Sequence, residues 1–221
     1  MRTLIVIPAF NESKNLESLI DDILSYGYDY LIINDNSTDN TEKLCKENGF
    51  NVLNLPVNLG LAGVTRVGFM YARDNDYDCV VCVDGDGQHQ PKYVHTLIKE
   101  IENGNDYVVG SRFVDEKKPI TMRMLGSRIF CFLIKLKTGK TVSDPTSGMR
   151  ALSKNVIKCF ADDMNFYAEP DTLCFLIRRG FKVKEVQVEM LDRQNGASYF
   201  VNPFKVIKFM ISVSLSIIFT R

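Results

Sequence analysis

Short apolar runs alternate along the chain with longer stretches in which hydrophobic positions recur every three or four residues. The first run, "TLIVIP", is followed by Leu16, Leu19, Ile20, Ile23 and Leu24 at helical spacing. "YLIIN" predicts a second strand, "STDNTEKLCKENG" a helix stopping at Gly49, and "NVLNL" a third strand. "GLAGVTRVGFMYARDN" predicts a helix and "CVVCVD" a strand. Pro91 then opens a helix with Val94, Leu97, Ile98 and Ile101 on one side, ahead of the strand "DYVVGS". Strands alternating with helices predict βαβ units, an α/β fold on a mainly parallel central sheet flanked by helices. The strands are apolar throughout, as expected where helices cover both faces.

The second half is less regular. Residues 117–140 mix bulky apolar side chains with Lys117, Lys118, Arg123, Arg128, Lys135, Lys137 and Lys140, and carry no acid between Pro119 and Val142. "DPTSGMR", a helix around "PDTLCFLIRRG" and a strand "FKVKEVQVEM" follow, so residues 1–198 are assigned to one domain and 199–221 to an apolar tail. The longest uncharged runs, Ile129 to Ile134 and Phe209 to Phe219, fall short of the ~20 residues a membrane span needs. Both stretches predict amphipathic elements facing a membrane surface, lysines toward anionic lipid. Burial in the core, or a contact between copies, is the other reading. Ser212, Ser214 and Ser216 alternate with apolar residues and leave helix or strand open in the tail.

Composition adds constraints. Of 221 residues, 27 are basic and 27 acidic, so no global field draws the protein to nucleic acid. Cys79 and Cys82, three apart on a strand, point to opposite faces, and no second CxxC or histidine cluster completes a metal site. The six cysteines read as small core hydrophobes of a reducing compartment. "MRTLIVIPAFNE" turns polar too early for a signal peptide.

The chemistry concentrates in "VVCVDGDGQHQP". Asp84 and Asp86 stand where a buried strand becomes a loop, and Asp35 stands at the end of "YLIIN". In open parallel sheets ligands bind at that edge. Two convergent carboxylates repel unless a cation lies between them, and a hard ion such as Mg²⁺ or Mn²⁺ suits them, with Gln88 as a neutral third oxygen. A solvated turn or a phosphatase with a DxD nucleophile also fits the pair. An EF-hand does not, because its twelfth position would be His95. Walker-type and dinucleotide glycine motifs are absent.

"VIPAFNE", "NDNSTDNT", "NLGLAGVTRVGF", "VDGDGQHQP", "GSRF", "DPTSGMRA" and "RRGFKVKEVQVEM" occur in the order seen in family 2 glycosyltransferases of the GT-A fold. Over residues 3 to 190 the chain most resembles the dolichol-phosphate mannosyltransferase type, which loads a sugar onto a polyprenyl phosphate. The resemblance implies that Pro8, Phe10 and Glu12 line a nucleobase pocket and that Asp35 hydrogen-bonds the base. Asn34 replaces the family's usual first acid. It implies that Asp84, Asp86 and Gln88 hold a metal and the donor diphosphate, with Arg112 beside the donor diphosphate or the acceptor phosphate. Arg193 with "NGAS" resembles a loop closing on the donor phosphates; Glu169 and Asp171 resemble the acidic region before the late helix. For Arg112 a surface ion pair is the plain alternative.

A single domain with no second nucleophile predicts direct displacement with inversion. A hydroxyl acceptor needs a general base, for which Asp144 is the candidate, whereas an anionic phosphate needs none. Otherwise Asp144 caps its own turn through Thr146 and Ser147. The expected partners are a UDP- or GDP-linked sugar, a polyprenyl phosphate and the cytoplasmic face of a membrane, with a homo-oligomer or a small membrane partner left open. Transfer to a glycan hydroxyl, a metal-dependent phosphatase or nucleotidyltransferase, and a non-catalytic sugar-nucleotide binding module are the rival readings.

Overall fold

The computed structural model describes residues 1–162, 170–192 and 203–219. Seven strands form one sheet in the order β3-β2-β1-β4-β6-β5-β7. They are β1 (Thr3–Ala9), β2 (Asp29–Asn34), β3 (Val52–Asn54), β4 (Cys79–Cys82), β5 (Tyr107–Ser111), β6 (Arg150–Ser153) and β7 (Val183–Gln187). All neighbouring pairs are parallel except those of β6, which runs antiparallel to both β4 and β5. The helices are α1 (Leu16–Ser25), α2 (Thr41–Glu47), α3 (Gly60–Asp74), α4 (Val94–Glu102), α5 (Met122–Thr138), α6 (Lys154–Asp162), α7 (Pro170–Arg178) and α8 (Pro203–Phe219). Pro91 begins a single tighter turn, Pro91–Tyr93, that runs into α4.

Two apolar layers sandwich the sheet. Leu4, Val6 and Cys82 pack with α3, α5, α6, α7 and α8 on one face; Ile5, Ile7 and Cys79 pack with α1 and α4 on the other. Cys79 and Cys82 thus occupy opposite faces, and burial pushes each thiol up to about 12, far from the reactive range. The tail forms a helix. Val213 and Ile217 of α8 are fully buried beside Phe130 and Ile134 of α5, and the Ser216 hydroxyl donates to the Asp171 carboxylate at the start of α7.

Outward, α5 shows Leu125, Ile129, Phe132 and Leu136, and α8 shows Ile207, Ile211, Leu215 and Ile218. Spacings of three and four put each set on a single helical stripe. Phe132 is 65% and Leu136 70% exposed. Among the described residues no helix is long and apolar enough to cross a membrane.

Helix α3 comes close to the sheet at Gly68. A Cβ there would stand 2.5 Å from Val6 Cγ1 and 3.1 Å from Ile33 Cδ1, so α3 rests directly on β1 and β2. Gly68→Ala is expected to lower the unfolding free energy by about 1–3 kcal/mol through overpacking, read from urea denaturation midpoints.

Candidate active site

The strand order reverses between β1 and β4, which makes their carboxyl ends a topological switch point. The ladder between them ends at Val6 opposite Cys82, with one further bond from Val83 N–H to the Val6 carbonyl, 3.1 Å. Pro8 is the next β1 residue facing β4 and has no N–H to donate, so the ladder stops there. The loop carrying Asp84 and Asp86 follows, and it stays close to β1: a Cβ on Gly85 would stand 3.0 Å from the Pro8 carbonyl oxygen.

The loops after β1 and β2 are stitched together. Asn11, at φ 60°, accepts on Oδ1 from Thr38 N–H (2.8 Å) and Asp39 N–H (3.2 Å), and its own N–H donates to Ser37 Oγ. Burial alone would raise the Asp39 carboxyl, but hydrogen bonds from Thr41 and Ser13 outweigh it and hold the group below the usual aspartate value. Glu12 is buried and accepts from Asn15 Nδ2 at 2.7 Å; Phe10 is 48% exposed. Asp35 is buried and receives Leu59 N–H at 2.6 Å and Gly60 N–H at 2.9 Å, so it caps the start of α3. Two of its lone-pair directions are thereby committed to the fold.

Asp84 is 35% exposed and Asp86 is buried, with Asp86 Oδ1 accepting from Gln88 N–H at 3.0 Å. Gln88 Nε2 donates to the Leu191 carbonyl, which leaves Oε1 as the oxygen of that side chain to offer. A short strip after β7 holds this loop: Leu191 N–H reaches the Gln88 carbonyl, His89 bridges Met190, and Gln90 Nε2 reaches the Glu189 carbonyl. Two carboxylates and an amide are all hard oxygen donors, which fits Mg²⁺ or Mn²⁺. Among the described residues no group of three His, Cys, Asp or Glu could close a metal cage. An ion held by this set takes its remaining oxygens from phosphate and water.

Arg112 and Asp144 form a fork. Nε meets Oδ2 at 2.7 Å and Nη2 meets Oδ1 at 2.9 Å, while Arg112 N–H and Thr146 Oγ1 also donate to the same carboxylate. Asp144 is fully buried, and its carbonyl accepts the Ser147 N–H. Glu185 of β7 receives Ser143 N–H and Asp144 N–H at 2.6 and 2.8 Å; Gln187 clamps the loop after β5 through Val114 N–H, Asp115 N–H and the Arg112 carbonyl. Asp171 accepts Thr172 N–H at the start of α7. Glu169 and Arg193 lie outside the described residues.

Glu185, Gln187, His89, Gly148 and Arg150 also shape the site and were not singled out in the sequence. Arg150 Nε donates to the Ser147 carbonyl at 2.7 Å, and its side chain lines a cavity of about 40 Å³ shared with Pro8, Thr65 and Asp84. Nothing in the spacing marks these residues. Only the position of Glu185 and Gln187, alternate polar residues on one strand, hints at a shared face.

Removing one member of the fork leaves a largely desolvated charge behind. Asp144→Ala is expected to cost about 3–5 kcal/mol of stability, and the Arg112→Met/Asp144→Leu pair distinctly less than the sum of its single changes. Denaturant titration of Asp144→Ala and of the four proteins of the cycle measures both.

The family model for glycosyl transferase family 2 matches residues 4–160. The UDP-N-acetylglucosamine–dolichyl-phosphate N-acetylglucosaminyltransferase of Methanococcus voltae is 33% identical over 183 residues, covering 72% of each chain. The dolichol-phosphate mannosyltransferase of Pyrococcus furiosus is 32% identical over 171 residues, 72% of this chain and 48% of that one. Among solved structures, glucosyl-3-phosphoglycerate synthase from Mycobacterium tuberculosis, in complex with Mn²⁺, UDP-glucose and phosphoglyceric acid, superposes with a TM-score of 0.71 at 18% identity. That match covers 98% of this chain and 78% of the other, a likeness of fold. The chain therefore belongs to glycosyl transferase family 2 and is a glycosyltransferase of the GT-A fold.

Proposed function

We propose that the protein transfers a sugar from a UDP- or GDP-linked donor to a polyprenyl phosphate, with inversion and with Mg²⁺ or Mn²⁺. The observation that carries this acceptor is the state of Asp144. The candidate base is fully buried, and both oxygens are engaged by Arg112 and Thr146. A sugar hydroxyl has to lose a proton during transfer; a phosphate acceptor arrives as an anion and needs no base. The named activities of the Methanococcus and Pyrococcus relatives support the same acceptor class.

In this reading Pro8, Phe10 and Glu12 face the nucleobase. Asp35 holds the start of α3 as the rim of that pocket and presents its remaining lone pairs to the base. Asp84, Asp86 and Gln88 are the metal-holding set, and a bound divalent cation neutralises charge on the departing diphosphate. Asp144 is a positioning residue: it fixes the Arg112 guanidinium and leaves Nη1 to meet phosphate. Arg193 acts on the donor phosphates. The acceptor oxygen bonds to the anomeric carbon as the bond to the donor diphosphate breaks, and nucleoside diphosphate leaves with the electron pair.

The acceptor lies in lipid, and the outward stripes of α5 and α8 supply a surface for it. Exposed apolar patches of this kind mark interaction faces, and Lys135 and Lys140 lie exposed on and beside α5. The protein is then peripheral, working from the cytoplasmic side of the membrane.

Incubating the purified protein and Mn²⁺ with a panel of nucleotide-sugars and undecaprenyl or dolichyl phosphate should release nucleoside diphosphate and yield an acid-labile lipid-phosphate sugar. Asp86→Asn should slow turnover at least about a hundredfold. A product with a sugar–sugar bond would refute the acceptor. In flotation, vesicles containing anionic lipid should carry the wild type upward. Lys135→Glu/Lys137→Glu should remain mostly at the bottom of the gradient, and equal flotation of both would count against lysine-assisted docking.

A further inference from the structure

Asp84 is not held as an ordinary loop carboxylate. Its own N–H donates to His89 Nδ1 at 2.9 Å, so Nδ1 is an unprotonated acceptor and the neutral ring carries its proton on Nε2. That Nε2 lies 3.6 Å from Asp84 Oδ2, too long for a hydrogen bond. One imidazole therefore accepts from the residue's backbone while lying against its side chain. The ring is only 3% exposed, and the backbone of His89 bridges to Met190.

The opposite wall is Gly148. A Cβ built there would lie 2.7 Å from Asp84 Oδ2, 3.3 Å from Asp84 Cγ and 3.0 Å from His89 Cε1. Real Cβ atoms do not approach oxygen so closely, so the carboxylate occupies the space that any other residue's side chain would fill. Neither feature is needed to close the β4 strand or its ladder, which ends at Cys82.

We infer that His89 is a positioning residue for the metal-holding carboxylate Asp84, and that Gly148 is a glycine because the aimed carboxylate lies against its Cα. The inference rests on the metal reading of Asp84 and Asp86 given above. It adds that the aim of Asp84 is set from outside the DxD, by one ring and one missing side chain. The dominant contact is the backbone one. An asparagine at 89 can set its Oδ1 near the place of Nδ1, whereas glutamine can offer a donor near Nε2 but no acceptor at Nδ1.

The test is direct binding of Mn²⁺ to the full chain, followed by the electron paramagnetic resonance signal of free Mn²⁺, with saturating UDP and, in parallel, GDP. Changes to groups that orient metal ligands typically weaken affinity about 10- to 100-fold. His89→Ala, His89→Gln and Gly148→Ala should each weaken Mn²⁺ binding about tenfold or more, and His89→Asn should recover most of the wild-type affinity. Circular dichroism melts run alongside. If His89→Ala does not fold, the Asn and Gln replacements and Gly148→Ala carry the comparison, because a purely structural histidine gives no reason for metal affinity to follow the acceptor at Nδ1. Wild-type affinity in His89→Gln or in Gly148→Ala overturns the inference while leaving the metal reading standing. No Mn²⁺ binding by the wild type removes both.

Discussion

The ladder between β1 and β4 stops after Val6 and Cys82, and the polar groups of the candidate site follow directly beyond it. Proline at position 8 gives that stop a covalent cause, since it has no hydrogen with which to continue the ladder. Past this point the two buried strands no longer share backbone bonds. Their polar continuations, "AFNE" on one side and "DGDG" on the other, can then face a common ligand. The glycine-free interior of β4 and the glycine-rich loop after it reflect the same division. The strand has to be rigid and dry; the loop has to bring like charges together at the water's edge.

Those charges are held in place by residues on and just after β7. Glu185 and Gln187 project from β7 to fix the two loops that present Asp144 and Arg112. The segment after β7 pairs with Gln88, His89 and Gln90 to hold the acidic loop. β7 is an edge strand, and two of its side chains, Glu185 and Gln187, carry the bonds to these loops. Strand and candidate site are thus tied together by side chains of one strand.

Much of this was legible in the residues alone. The apolar runs from "TLIVIP" to "DYVVGS" marked the parallel strands because burial on both faces keeps their centres mostly apolar, and Asp84 and Asp35 stood out as acids directly after such runs. β6 did not stand out: "RALS" has no β-branched residue and owes its strand to pairing with β4 and β5 on either side. The tail stayed ambiguous because its alternating serines imitate a strand. Only the structure shows that Ser216 turns inward to Asp171 while Val213 and Ile217 fill the core. Asp35 was expected to meet a base, and its two bonds to the start of α3 depend on a loop 24 residues away that no local pattern encodes. His89 lay in plain view within the acidic motif, but a lone imidazole has no periodicity to read.

The two sides of α8 have a consequence for how the molecule can be divided. Val213 and Ile217 seal the same apolar layer that contains Phe130, Leu173 and Leu176, while Ile211, Leu215 and Ile218 look away from it. A tether can be trimmed without harm to what it tethers; a wall cannot. Cutting the chain ahead of this helix would uncover the interior, so whatever meets the outer face meets the folded body itself, with no slack between that face and the sheet.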